Sequence, residues 1–285
     1  MIDADTRALF VAVAITTLVQ ALVSLAVFTP PLLAPVAQAD LGVSASTVGI
    51  VITLMYIAAS LSAPRGGALV AHHGPLRVSQ HSLAWSAGGI ALFALASPVV
   101  CVVGAFMLGI GYGPVTPASS TILSTRAPER IRNVIMSIRQ TGVPLGGAMA
   151  GALVPALIVA YGWRTAALIV GGLCALTALV VQPRREHYDA GRSGPARTAP
   201  ASHASMLRLV LAAPALRDLA LISFVYAAVQ MCFSSYLVVF LTERAGLTLV
   251  TAGAVFSAAM IAGIVGRILW GAVADWLGNA RNVLG

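Results

Sequence analysis

The chain has 285 residues, of which 59% are hydrophobic and 9% charged, against about 45–50% apolar and about 25% charged in an ordinary soluble domain, so its surface has to face lipid. Its formal net charge of +8 comes without a single lysine; the arginines sit in the gaps between apolar runs, which excludes a nucleic-acid-binding face and leaves membrane topology as the meaning of the charge. Cys101, Cys174 and Cys232 stand singly in apolar segments, without the spacing of a zinc site, redox pair or disulfide framework, and no cofactor or metal is expected.

Runs near the roughly 20 residues that cross a hydrocarbon layer give about eight predicted spans. The first, Leu9–Pro35, is too long for the core of a signal peptide and follows acidic Asp3 and Asp5, so it reads as a retained membrane helix despite the cleavage-like Ala37-Gln38-Ala39. Then come Thr47–Val70, Val78–Ser97, Val99–Thr125, Asn133–Ala160 and Trp163–Val181, and, after a gap, Leu216–Leu241 and Val250–Ala274. Alternate connections carry nearly all the charge: Arg77, then Arg126, Arg130 and Arg132, then the run from Arg184 to Arg217, and finally Arg281, against Arg164 and Arg244 on the other side. By the positive-inside rule the first set and the N-terminus are cytoplasmic, in a multi-pass inner (plasma) membrane protein. The gap between Gln182 and Pro214 is rich in Arg, Gly, Ala, Ser and Pro and reads as a flexible cytoplasmic linker. The chain divides into a six-helix bundle over 1–182, the linker over 183–214, and a partial second bundle over 215–285.

One eleven-residue pattern occurs twice, as Gly67-Ala-Leu-Val-Ala-His-His-Gly74-Pro-Leu-Arg77 and as Gly271-Ala-Val-Ala-Asp275-Trp-Leu-Gly278-Asn-Ala-Arg281. Each copy ends an apolar span, and duplication at matching positions points to two related halves. The layout and the paired loops resemble the major facilitator superfamily, whose loop signature is G-x-x-x-D-[RK]-x-G-[RK]-[RK]. The first copy keeps Gly67, Gly74 and Arg77 but has Ala71 at the acidic position; the second keeps Gly271, Asp275, Gly278 and Arg281. The resemblance implies an all-α integral membrane protein, six helices plus about two of a second half, and a latching role for these loops, in which glycines allow close packing and the charges hold the inside ends together. The segment from Ser137 to Gly151 is similar to the family's Gly/Pro-rich fifth helix, although Gly142-Val143-Pro144 departs from the antiporter form. The family has twelve helices and this sequence stops where the ninth begins, so the expectation is a fragment of a transporter or, alternatively, a truncated non-transporting remnant or regulatory membrane protein.

Arg139 lies seven residues past Arg132, about 10 Å along a helix. Two readings stand: an anion ligand in an inward cavity, or an arginine snorkelling to the interface. Thr16, Gln20 and Ser24 fall on one face of the first helix, and Ser223, Tyr226, Gln230 and Ser234 on one face of the seventh, while Thr116, Ser119 and Ser120 add to the fourth and Gln140 follows Arg139. Arg139, Gln20, Gln230, Tyr226 and Gln140 are the candidate substrate ligands, and for the hydroxyl residues a bond back to their own helix is the simpler reading. Every acid, Asp218 included, falls in a loop or at a helix end, so no buried carboxylate in the spans is expected to carry protons. No H-E-x-x-H or Ser-base cluster supports an enzyme. The expected function is transport of a small organic solute, with an anion as the finer possibility, by a monomer in the bilayer.

Overall fold

The computed structural model describes residues 4–44, 47–190, 208 and 211–276, and within them the regular elements are all helical. The first span is the 38-residue helix α1, Ala4–Leu41. The second is α2, Thr47–Ser62, a 3-10 turn at Ala63–Arg65, and α3, Gly66–His73. The third is α4, Pro75–Phe93. The fourth is split into α5, Pro98–Tyr112, and α6, Val115–Ser124, and the fifth into α7, Arg132–Gln140, and α8, Gly142–Tyr161. The sixth is α9, Trp163–Val180, followed by the short α10, Arg185–Asp189. The last two are α11, Pro214–Glu243, and α12, Leu249–Trp276.

All eight anticipated spans are therefore helices, and seven stretches among the described residues are both long and apolar enough to cross a membrane. The exception is α4. It has 19 residues and carries Ser79, Gln80, Ser82 and Ser86 on buried positions, so its polar atoms lower its hydropathy while α5 and α9 cover them. The broken spans have local causes. Pro64 interrupts the second and Gly113-Pro114 the fourth, since a proline lacks the N–H and crowds the preceding turn; at Thr141 the chain tightens, its N–H bonding to the Ile138 carbonyl at 3.0 Å. Membrane helices tolerate such breaks where neighbours cover the freed backbone.

At the centre lies α1, buried almost continuously from Val19 to Ala34. Helix α8 closes onto it through small residues, because a Cβ at Gly146 would meet Ser24 Cβ at 2.6 Å and the Leu25 nitrogen at 2.9 Å. Its opposite face meets α12: a Cβ at Gly151 would stand 2.6 Å from the Gly253 carbonyl oxygen, and Ser257 Oγ donates to the Ala148 carbonyl at 2.6 Å. Close backbone approach of this kind replaces the hydrophobic drive that helices lose in lipid. Phe28 of α1 and Phe256 of α12 complete the seam edge to face at 5.9 Å.

The two ends of the bundle differ. At the end bearing Asp40 and Glu243, Gln38 Nε2 donates to Glu243 Oε1 at 3.0 Å, Trp163 Nε1 donates to Asp40 Oδ2 at 3.0 Å, and α11 is inserted, with Ser234, Ser235, Val238 and Val239 buried. Toward the arginine-rich end the first half of α11 stands off the bundle, exposed from Leu216 to Gln230. A cleft therefore widens toward that end.

The arginine-rich end is closed within the six-helix half by the residues that follow α9. Gln80 Nε2 donates to the Ala178 carbonyl at 2.9 Å and to Gln182 Oε1 at 2.6 Å. Arg126 lies over the Tyr188 ring at 4.4 Å and donates to the His187 carbonyl at 3.1 Å. Asp189 is fully buried and accepts the Leu76 N–H at 2.8 Å. The stretch read as a flexible linker thus opens with an ordered piece, because Tyr188 and Val181 join the small apolar cluster of Ala12, Leu76 and Ile122.

Candidate substrate site

Arg139 falls in the last turn of α7, just before the break at Thr141. The break lets Gly142 seat against Gln20, where a Cβ would meet Gln20 Cβ at 2.9 Å, and so draws the end of α7 onto α1. The guanidinium is 2% exposed. Snorkelling is thereby overturned: the side chain turns into the bundle rather than toward its end.

Arg139 Nη1 donates to Ser119 Oγ of α6 at 2.6 Å and to Gln20 Oε1 of α1 at 3.4 Å. Ser119 Oγ in turn donates to the Val115 carbonyl at 2.8 Å, and Gln20 Nε2 donates to Ser24 Oγ at 3.3 Å. Ser24, Gln20, Arg139 and Ser119 therefore form one buried polar chain across three helices. Arg139 Nε has no hydrogen-bond partner, and among the described residues no carboxylate pairs with the guanidinium. A buried cation left without a counter-ion is held in place by dipoles alone, and its attraction for an anion is less screened than at the surface, offset in part by the desolvation of both ions.

A cavity of about 440 Å³ lies one turn further along the same span, lined by Val143 and Pro144 of the fifth span, Phe28 of α1, Tyr226, Gln230 and Phe233 of α11, and Met260 of α12. Tyr226 and Gln230 are exposed along the cleft, and Ser234 spends its proton on the Gln230 carbonyl at 2.8 Å. Its walls are mostly apolar with few polar groups, the usual make-up of a small-molecule site.

The structure thus gathers Arg139 and Gln20 in one cluster and Tyr226 and Gln230 in the neighbouring cavity. Gln140 joins neither. Successive helix residues point about 100° apart, and with Arg139 turned inward Gln140 is exposed. Thr16 bonds back to the Ala12 carbonyl at 2.8 Å, as the simpler reading of hydroxyl residues has it. Phe28, Phe233 and Met260 were not picked out from the sequence, since apolar residues in an apolar span carry no signal of their own.

Around the first loop copy, Gly67 has open space about it, and close packing falls to Gly66, whose Cβ would meet the Pro114 Cα at 3.3 Å. Gly74 makes the sharp exit, at φ +93°. Arg77 donates to Gln80 Oε1 at 3.3 Å. In the second copy Gly271 and Asp275 lie in the last turns of α12, and Gly278 and Arg281 lie outside the described residues. The expectation that no buried carboxylate occurs in the spans stands beside Asp189, which is buried just past the end of α9.

Broken spans, a buried cation without a described counter-ion and a cleft between two sets of helices define a multi-pass helical membrane protein with a polar site inside the bilayer. The chain belongs to the Major Facilitator Superfamily, whose sequence model matches residues 9–285. It is 25% identical over 268 residues to a probable sulfoacetate transporter of Cupriavidus necator, covering 88% of this chain and 62% of that one. It is 24% identical over 253 residues to a hexuronate transporter of Bacillus subtilis, covering 86% of this chain and 59% of the relative. The chain thus spans about three fifths of the length of these relatives. Its fold matches the crystal structure of a bacterial homologue of the human lysosomal transporter Spinster, inward-facing and unoccupied, with a TM-score of 0.70, 20% identity, and coverage of 95% of this chain and 62% of that one.

Proposed function

We propose that this chain forms the anion-binding part of a secondary carrier that moves a small organic anion across the membrane by alternating access. The observation that carries the reading is Arg139, which is 2% exposed, bonded to neutral oxygens and unpaired by any described carboxylate. Its planar guanidinium suits a carboxylate or sulfonate in two-point geometry. The relatives named for sulfoacetate and hexuronate both take organic anions, which supports the same chemistry here.

In this reading Arg139 binds the charged group, Gln20 and Ser119 hold the guanidinium at its station, and Tyr226 and Gln230 bond the body of the solute across the cleft. The arginine-rich end is cytoplasmic, in a bacterial inner membrane. Binding draws α11 and α12 toward α1 and α8, and the seam at Gly151 and Gly253 is the pivot. Purified chain titrated with sulfoacetate and with a hexuronate tests the reading by isothermal calorimetry: saturable binding that disappears in Arg139→Gln supports it, and binding indifferent to that change defeats it.

A further inference from the structure

A second cavity, of about 430 Å³, has no lining residue from α1, α8, α11 or α12, so it lies apart from the proposed transport path. Helices α2 and α4 both pack on α5 and leave a cleft between them on the outer wall of the six-helix half. The rim is apolar and exposed: Leu61 is 46%, Leu69 37%, Trp85 42% and Phe106 42% accessible. That is the face a bilayer covers.

Most of the lining is apolar, and its few polar groups include Arg65 and His81, both exposed at the mouth, and the buried Ser82. Arg65 enters from the 3-10 turn that breaks the second span, with Nη1 on the Leu61 carbonyl at 2.5 Å and its other N–H groups available. His81 lines the cleft from α4 and offers a ring N–H, so Arg65 is the one cation among the lining residues. Ser82 is 2% exposed, lines the cavity, and its hydroxyl has no hydrogen-bond partner. No acidic residue lines the cavity. Arg65 is separated from the chain exit at Gly74 by the eight residues of α3, about 12 Å of helix, and His81 lies about 9 Å past Pro75. Both groups therefore sit at one depth, below the interface in the leaflet on the arginine-rich side.

We infer that this cleft is a binding site for the phosphate head group of an anionic phospholipid. The phosphate is held by Arg65, His81 and the unpartnered Ser82 hydroxyl, and the acyl chains run along Leu61, Trp85 and Phe106. A basic group in a cleft between membrane helices recognises lipid phosphate by charge and hydrogen bonding, Arg65 reaching from below toward the head-group plane, where a plain apolar groove would accept any lipid. A bilayer-facing mouth favours lipid over a soluble anion. The inference does not depend on what the carrier transports.

The test is native mass spectrometry of the purified chain with equal amounts of phosphatidylglycerol and phosphatidylcholine. Wild type is expected to retain one phosphatidylglycerol about fivefold over phosphatidylcholine, the excess expected from roughly one well-placed basic group. Arg65→Gln with His81→Gln is expected to remove the excess, and Arg217→Gln, far from the cleft, to leave it intact. Should the double variant not elute as a single folded species, Ser82→Phe fills the cleft without changing charge and is expected to give the same loss. Equal retention of the two lipids by wild type, an excess that survives these substitutions, or displacement of the lipid by millimolar inorganic phosphate overturns the assignment.

Discussion

Asp189 caps the start of α4 from 113 residues along the chain: its Oδ1 accepts the Leu76 N–H at 2.8 Å. Gly74 provides no side-chain cap for α4, and Pro75 has no N–H to offer, so Leu76 is the first free donor of that helix. The carboxylate is also held by Arg185, with Nε at 3.5 Å from Oδ2. The first loop copy has Ala71 where the family pattern has an acid, and among the described residues the carboxylate bonded at the loop's exit is that of Asp189, from the segment after α9.

Asp189→Ala is expected to lower the stability of the purified chain by about 1–2 kcal/mol, the range for a lost helix cap. Thermal unfolding in detergent reads it. Gly74→Ala is expected to do at least as much, because a Cβ there would lie 2.5 Å from Asp189 Oδ1 and the residue holds φ +93°. An unchanged midpoint in both would remove Asp189 from the account.

The sequence made the spans legible because membrane crossing needs length and apolarity, both visible residue by residue, and the arginine-poor and arginine-rich connections mark their order. Arg139 and Gln20 were legible for the converse reason, as polar groups are conspicuous in an apolar run. The direction of Arg139 was not, because it depends on a break at Thr141 and on the packing of Gly142 against Gln20, neither of which has a periodic signature. Asp189 was hidden by its neighbours: it stands in a stretch whose overall composition is that of a linker, and the burial of Tyr188 and Val181 with Ala12, Leu76 and Ile122, which helps to order it, has no signature in that composition.

The bond between Ser119 and Arg139 predicts a graded response. Ser119→Ala removes the 2.6 Å acceptor and leaves a buried N–H unsatisfied, which costs about 1–3 kcal/mol. Anion affinity measured by calorimetry is expected to fall with it, because Ser119 holds the guanidinium at its station; a rise would show that the freed N–H serves the ligand and would overturn that role. No change in either stability or affinity would show that the contact is incidental.

Gly151 and Gly253 admit almost nothing between them, with the Gly253 oxygen 2.6 Å from where a Gly151 Cβ would stand. Gly151→Val is expected to push α12 off α8 at about 1–3 kcal/mol, the usual range for overpacking. Disulfide cross-linking of Ala148→Cys with Ser257→Cys, positions joined by a 2.6 Å hydrogen bond, should form readily in the parent chain and slowly with the valine present. Equal cross-linking yields would contradict the seam.

Topology is checked by labelling cysteines from each side of the membrane in a chain with Cys232→Ala, since Cys101 and Cys174 are buried. Cysteines at Arg130 and Arg192 are expected to react from the cytoplasm, and cysteines at Arg164 and Arg244 from the outside. Labelling of Arg130 and Arg192 from opposite sides would overturn the assigned arrangement of helices.

The most direct measurement is uptake of a labelled organic anion by cells making a carrier of the relatives' length that contains this chain, with Arg139→Ala compared at equal membrane abundance. Loss of a buried charge's partner usually costs at least 2–5 kcal/mol, so uptake is expected to fall about 100-fold or more, with Arg139→Lys restoring part of it. Uptake by Arg139→Ala equal to that of the parent would contradict the claim that this buried guanidinium holds the transported anion.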